Sequence, residues 1–151
     1  MRKLVVLGAL LLALLGLSAC AKKQEAPKAD LETLYQRMLE TEGMPDMLTV
    51  PADQAEYIFG IMQSDCSGAI TAICSDSLQA DELWLVDAVD SAAADRIETL
   101  AKERLSQKGE ETRDYLPDQY LIVQKGRVIR SGDRVCLLVS PQIDKLAELL
   151  G

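Results

Sequence analysis

The residues of this chain whose types could do chemistry are a few cysteines, a series of carboxylates and a pair of tyrosines. In SDCSGAITAICSDS, residues 64–77, Cys66 and Cys74 stand between mirrored serine and aspartate residues. A dithiol redox centre needs Cys-x-x-Cys spacing, with a helix N-terminus to lower one thiol's pKa, and that spacing does not occur. A metal site would need close cysteine pairs, and a carboxylate as its fourth ligand. Together with Cys136, the set reads as reduced, buried thiols on strands, with turn-forming Ser and Asp at the ends of the 64–77 stretch. One disulfide, Cys74 to Cys136, a bond permitted outside the cytoplasm, stays open if those strands lie close. Thiol-redox or sensor chemistry is the remaining alternative.

The carboxylates are no better arranged for catalysis. Asp81 and Glu82 are adjacent, so in a strand they would face opposite sides, which is poor geometry for an acid–base pair. Asp87, Asp90 and Asp95 lack EF-hand spacing. Asp87 interrupts an apolar stretch and must find a cation, hydrogen-bond donors or water at a strand end. It is also the carboxylate a pocket would use. Tyr115, Pro117 and Tyr120 either edge a groove or pack a helix start, which makes Tyr115 and Tyr120 candidate surface residues. The chain has no histidine, which excludes Ser-His-Asp triads, Cys-His dyads, histidine-ligated haem and most zinc sites. Gly-x-Ser-x-Gly and glycine-rich phosphate loops are absent as well, while a serine–lysine pair stays open. No metal and no cofactor is expected. An aromatic fraction of 4% leaves few platforms for stacking bases or sugars.

The N-terminal segment reads as an address. Arg2 and Lys3 precede the apolar run LVVLGALLLALLGL, residues 4–17, as in a secretory signal. Leu17-Ser18-Ala19-Cys20 then resembles the lipobox of bacterial lipoproteins, in which the cysteine sulfur takes a diacylglyceryl group and the chain is cut before it. The expectation is a signal peptide over 1–19, lipidation of Cys20 and attachment to the membrane through that lipid. An uncleaved helix and cleavage without lipid are the alternatives. Two or more acyl chains, at about 0.8 kcal/mol per buried CH₂, anchor stably where one does not. Residues 20–29 form a lipidated cysteine and a flexible tether rich in lysine, and nine extended residues span at most about 30 Å. Cleavage would remove Arg2 and Lys3 from sixteen basic residues, leaving fourteen against twenty-four acidic ones and a net charge of about −10. Such a body is repelled by phosphate backbones, so nucleic acid is not an expected partner.

Residues 30–151 are long enough for one globular domain, and the apolar fraction of 48% suffices for one core. The spacing predicts a helix over 30–43 capped by Asp30 and a loop bracketed by Pro45 and Pro51. A short helix then opens at Asp53, where Asp-Gln-Ala-Glu has capping-box spacing. Ser67-Gly68 reads as a turn before a strand at 69–75, which forms a hairpin with a strand at 81–89. In the latter, Leu83, Leu85 and Val89 face one way and Trp84, Val86 and Ala88 the other, the pattern of a strand covered on both sides. A helix capped at Asp90 or Ser91 places Ala93, Ile97, Leu100, Ala101 and Leu105 on one stripe. A short helix after Pro117 ends at Gly126. A second hairpin turns at Ser131-Gly132-Asp133, and a last helix follows Ser140-Pro141. The expected fold is α+β with element order α-α-β-β-α-α-β-β-α. Its four-stranded, mainly antiparallel sheet has order 1-2-4-3, with the 69–75 and 127–131 strands at the edges.

SDCSGAITAICSDSLQADELWLVDAVDS, the charged helix after it, DYLPDQY and the glycine-turned hairpin resemble a domain-of-unknown-function family found in small bacterial surface lipoproteins. The better motifs are Ala80-Asp81-Glu82-Leu83, Tyr115-x-Pro117-x-x-Tyr120 and the Gly132 turn, and the resemblance covers roughly residues 32–150. It implies the outer face of the single membrane of a Gram-positive-type cell and brings no established activity. The cysteines are not part of its pattern. The expectation is a membrane-anchored, extracytoplasmic domain that binds a protein or another envelope component. The alternative is an envelope hydrolase working through Asp, Glu, Ser or Lys without histidine.

Overall fold

The computed structural model describes residues 29–151. The expected signal peptide, Cys20 and the tether up to Lys28 lie outside the described residues. The elements run α1 Leu31–Leu39, β1 Met47–Val50, α2 Ala52–Phe59, a 3-10 turn Gln63–Asp65, β2 Cys66–Cys74 and β3 Glu82–Ala88. They continue with α3 Ser91–Arg113, α4 Pro117–Val123, β4 Arg127–Ser131, β5 Arg134–Val139 and α5 Ile143–Glu148. The sheet is antiparallel throughout, in the order β1-β2-β3-β5-β4.

The expected class is therefore found, with one strand more than expected. Residues 47–50, read from sequence as a loop between prolines, pair with Thr71–Cys74 as β1. A proline lacks an N–H to donate and is tolerated beside an edge strand, so Pro45 and Pro51 shorten β1 rather than forbid it. The two hairpins sit side by side as anticipated, but β2 is not an edge strand over its second half. β2 also begins at Cys66, three residues early, and the Ser67-Gly68 pair lies inside it where the register slips against β3. The expected cap at Asp53 is not used. Pro51 precedes α2, which begins at Ala52 without a side-chain cap.

Alternation in β3 sorts the core into two halves. Trp84, Val86 and Ala88 meet α2, α3 and α4 on one face, together with Val135, Leu137 and Val139 of β5. Leu83 and Leu85 join Cys136 and Leu138 under α1 and α5 on the other. Each buried leucine or valine here contributes about 1.5–3 kcal/mol relative to exposure, and the two faces together make an α/β/α sandwich. Val89 lies beyond the strand and is exposed, contrary to its expected inward place. Local signals explain the helix starts. The Asp30 carboxylate accepts from the Thr33 N–H, and that of Asp90 accepts from the Ala93 N–H, each relieving an unsatisfied first-turn donor. Gly132, at φ 59°, supplies the left-handed residue of the β4–β5 turn.

Candidate functional site

One concentration of charge among the described residues is internal. Glu82 opens β3 with its side chain on the face of Trp84 and is fully buried. Arg104 and Lys108 lie one helical turn apart on α3, so both reach the same carboxylate. Arg104 donates from Nε and Nη2 at 2.9–3.2 Å, and Lys108 Nζ stands 2.9 Å from Oε2. Trp84 Nε1 donates to Oε1 at 3.0 Å. Phe59 closes the group from α2, with its ring 5.6 Å from the Arg104 guanidinium and 5.0 Å from the Trp84 ring. Burial alone would push the Glu82 carboxyl up. Hydrogen bonds and charge from Arg104 and Lys108 outweigh it and hold the carboxyl below its ordinary value.

Asp81, one residue earlier, is in the opposite condition. It is buried, and its Oδ1 has no hydrogen-bond partner among the described residues. Burial raises its pKa, against the lowering influence of Ser140 and the Lys108 charge. Two neighbouring carboxylates thus have pKa values displaced in opposite directions, a pattern that marks acid–base pairs when substrate can reach them. Here Asp81, Glu82 and Ser140 are each no more than 2% exposed. Glu82 acts as the counter-ion that ties α3 to the first residue of the central strand.

The residues singled out by sequence are held apart. Asp87 lies opposite Arg134 in the β3–β5 register and accepts from its Nε and Nη2 at 2.6 and 2.7 Å. Arg134 Nη1 donates to the Ala29 carbonyl, which ties the start of the domain to the sheet. Asp87 therefore finds a cation, the first of the three partners open to it in an apolar strand. Tyr115, in the link before α4, is 85% exposed. Tyr120 is half-buried on α4 beneath the Arg113 guanidinium. Gln119 of α4 accepts from the Ala80 N–H, placing that helix near the start of β3 while Asp87 stands near its end. Six residues of strand, about 20 Å, separate the two ends. The three candidates form no common site.

Cys66, Cys74 and Cys136 are thiols in the structure, not half-cystines. Cys136 faces Leu85 on β3, and β3 lies between it and β2, so two strand spacings, about 9.5 Å, already exceed the reach of a disulfide from Cys74. Cys66 is half-buried and its thiol is pushed up by burial and by the Asp65 carboxylate, the reverse of a reactive cysteine. The Ser and Asp residues flanking β2 serve the chain itself. Asp65 pairs with Arg96, and Asp76 accepts from the Leu78 N–H in the following turn.

Sequence reasoning missed the accessible concavity. A cleft of about 220 Å³ lies between α2 and the first half of β2, lined by Val50, Ala52, Ala55, Ile61, Ala69 and Thr71 among others. It exists because β1 stops at Val50. Pro51 turns the chain into α2, so β1 covers only Thr71–Cys74 and the neighbouring row beside Cys66–Ile70 holds no strand among the described residues. A shallow depression bounded by Asp53, Glu56, Tyr57 and Met62 adjoins the cleft at Gln63. The one available signal was Pro51 after a short β-branched run, the mark of an interrupted edge.

Sheet, layers and cleft define a small α/β/α domain whose buried ions are structural and which has an accessible concavity at a strand edge. The chain belongs to the family described as a domain of unknown function (DUF4358), which matches residues 40–140. No curated protein and no solved structure gives a match.

Proposed function

We propose that the chain is a lipid-anchored lipoprotein on the extracytoplasmic face of the cell membrane, and that its domain binds a protein or another envelope component. The observation that carries the binding role is the accessible cleft, which presents small neutral side chains and backbone, surroundings suited to holding a partner. Support for the anchor is the apolar run ending in Leu17-Ser18-Ala19-Cys20. Among the described residues no helix is long and apolar enough to cross a membrane. Cross-linking of the full chain in its own membrane, beside a Cys20→Ala variant, tests the reading. A stoichiometric partner captured by the parent and lost with the membrane attachment is expected. Release of the parent chain from the membrane fraction would remove the anchor, and absence of any captured partner would remove the binding role.

A hydrolase reading draws on one observation, the raised pKa of Asp81 beside Ser140 and the Lys108 charge. Substrate would have to open the end of the sheet to reach these groups. Turnover by the purified protein that disappears in Ser140→Ala would replace the binding reading.

A further inference from the structure

We infer that the Cys66–Ile70 edge of β2 is a strand-addition site. Its occupant is an extended segment of another protein, lying in line with β1, with small apolar side chains at alternate positions and a lysine or arginine at one end. The inference deepens the binding role proposed above and rests on it.

Edge strands template added strands unless something blunts them, and proteins blunt them with shortness, proline, charge or a bulge. Two of the three edge segments here are protected. β1 has only four residues, bracketed by Pro45 and Pro51. The outer strand β4 carries Arg127, paired with Asp144, and Arg130, paired with Asp95 and Glu98. Residues 66–70, Cys-Ser-Gly-Ala-Ile, have no charge and no proline, and past the register slip between Cys66 and Gly68 the edge is regular strand through Ile70. They span about 17 Å of strand, enough for roughly five residues of partner.

The chemistry of the occupant follows from the walls. Ala69 and Thr71 pair with Val86 and Trp84, so the cleft opens on the α2–α3 face of the sheet. An added strand would send every second side chain into it. At about 220 Å³ the cleft is smaller than the roughly 300 Å³ at which pockets for drug-sized ligands begin, and it suits alanine or valine side chains. Where it meets the neighbouring depression, Asp53, Glu56 and the 91%-exposed Tyr57 offer two carboxylates and an aromatic face to a cation. In an added strand, main-chain hydrogen bonds provide affinity and the alternate pockets provide choice.

A second copy of this chain fits less well. Pairing Cys66–Ile70 antiparallel with itself would put the β1 of each copy in the row that its partner continues with the 3-10 turn Gln63–Asp65. One extended peptide meets no such obstacle.

The probe is a short synthetic peptide alternating valine with threonine and ending in lysine, titrated into the full chain held in detergent micelles. Amide resonances of residues 66–70 report the contact. Saturable binding that moves these amides is expected. At least tenfold weakening is expected both when alternate peptide nitrogens are methylated and when the protein carries Ala69→Glu, an exposed position where added charge guards the edge. Equal binding by the methylated peptide, or no saturable binding, overturns strand addition. So does self-association of the parent that Ala69→Glu abolishes, which would make the occupant a second copy. The membrane cross-linking experiment separates the two levels. A partner captured equally by the Ala69→Glu chain keeps the binding role and refutes this edge, whereas a parent that captures nothing refutes the binding role itself.

Discussion

Replacing Glu82 by glutamine keeps the shape of the side chain and removes the negative charge that two cations share. In the native protein Glu82 is wholly shielded from solvent, while the side chains of Arg104 and Lys108 are 19% and 11% exposed. The exchange leaves Lys108 beside a neutral amide. Arg104 retains a second partner, Glu111 at 3.6 Å, which limits its share of the loss. Breaking a buried ion pair from one side costs about 3–5 kcal/mol, and the relief through Glu111 places Glu82→Gln near 3 kcal/mol. For a domain of this size that lowers Tm by roughly 10 °C. Urea unfolding followed by fluorescence reads it directly, because Trp84 is the single tryptophan and donates to the carboxylate being changed. Lys108→Met added to the glutamine variant should recover part of the loss, since it removes the uncompensated charge. Asp65→Asn, which weakens the solvent-exposed pair with Arg96, serves as the comparison and should fall well short of Glu82→Gln. A Glu82→Gln chain within about 1 kcal/mol of the parent, or a double variant less stable than the single one, would refute the reading of Glu82 as the counter-ion of α3.

The two neighbouring carboxylates should bend the pH profile in opposite directions. Glu82 is held below its ordinary value, so its contribution is present above the unfolded pKa of about 4.3 and lost as pH falls through the lower folded value. Asp81 is raised, so the native state loses stability as pH climbs from about 4 through its folded pKa. Unfolding of Asp81→Asn at stepped pH should therefore show the variant gaining on the parent as pH rises above about 4. A constant difference would contradict that. At Gly126 an added Cβ would stand 2.5 Å from Leu105 Cδ1 and 2.9 Å from the Val123 carbonyl oxygen. Gly126→Ala should cost about 1–3 kcal/mol by overpacking, measurable in the same urea titration. For the cysteines, iodoacetamide added in denaturant without reductant should alkylate Cys66, Cys74 and Cys136 together, and a mass short by two labels would reveal a disulfide. In the native state Cys66 should be labelled first, because the other two are buried.

Much of the fold could be read from local chemistry. Asp30 and Asp90 announce helix starts because a short carboxylate satisfies first-turn N–H groups wherever it occurs. The alternation of Leu83 and Leu85 with Trp84 and Val86 declares a strand covered on both faces, since side chains of a strand alternate whatever their neighbours. The Ser131-Gly132-Asp133 turn reports the final hairpin for the same local reason. Met47–Val50 was not legible. Four residues between prolines carry no periodicity of their own, and they become a strand only because Thr71–Cys74 offers hydrogen-bonding groups to pair with. The sites follow the same division. That Asp87 needs a cation, hydrogen-bond donors or water follows from an apolar strand, but Arg134 is named only by the register that sets β5 beside β3. Glu82 was legible only as a neighbour of Asp81 facing the other side of a strand, until Arg104 and Lys108 of α3, more than twenty residues later in the chain, came over it. The open edge of β2 is likewise a fact about which strand stops beside which. Residue types, spacing and caps act within a few positions and so belong to the sequence by itself. Counter-ions, strand neighbours and clefts join segments tens of residues apart, and only the packed chain decides them.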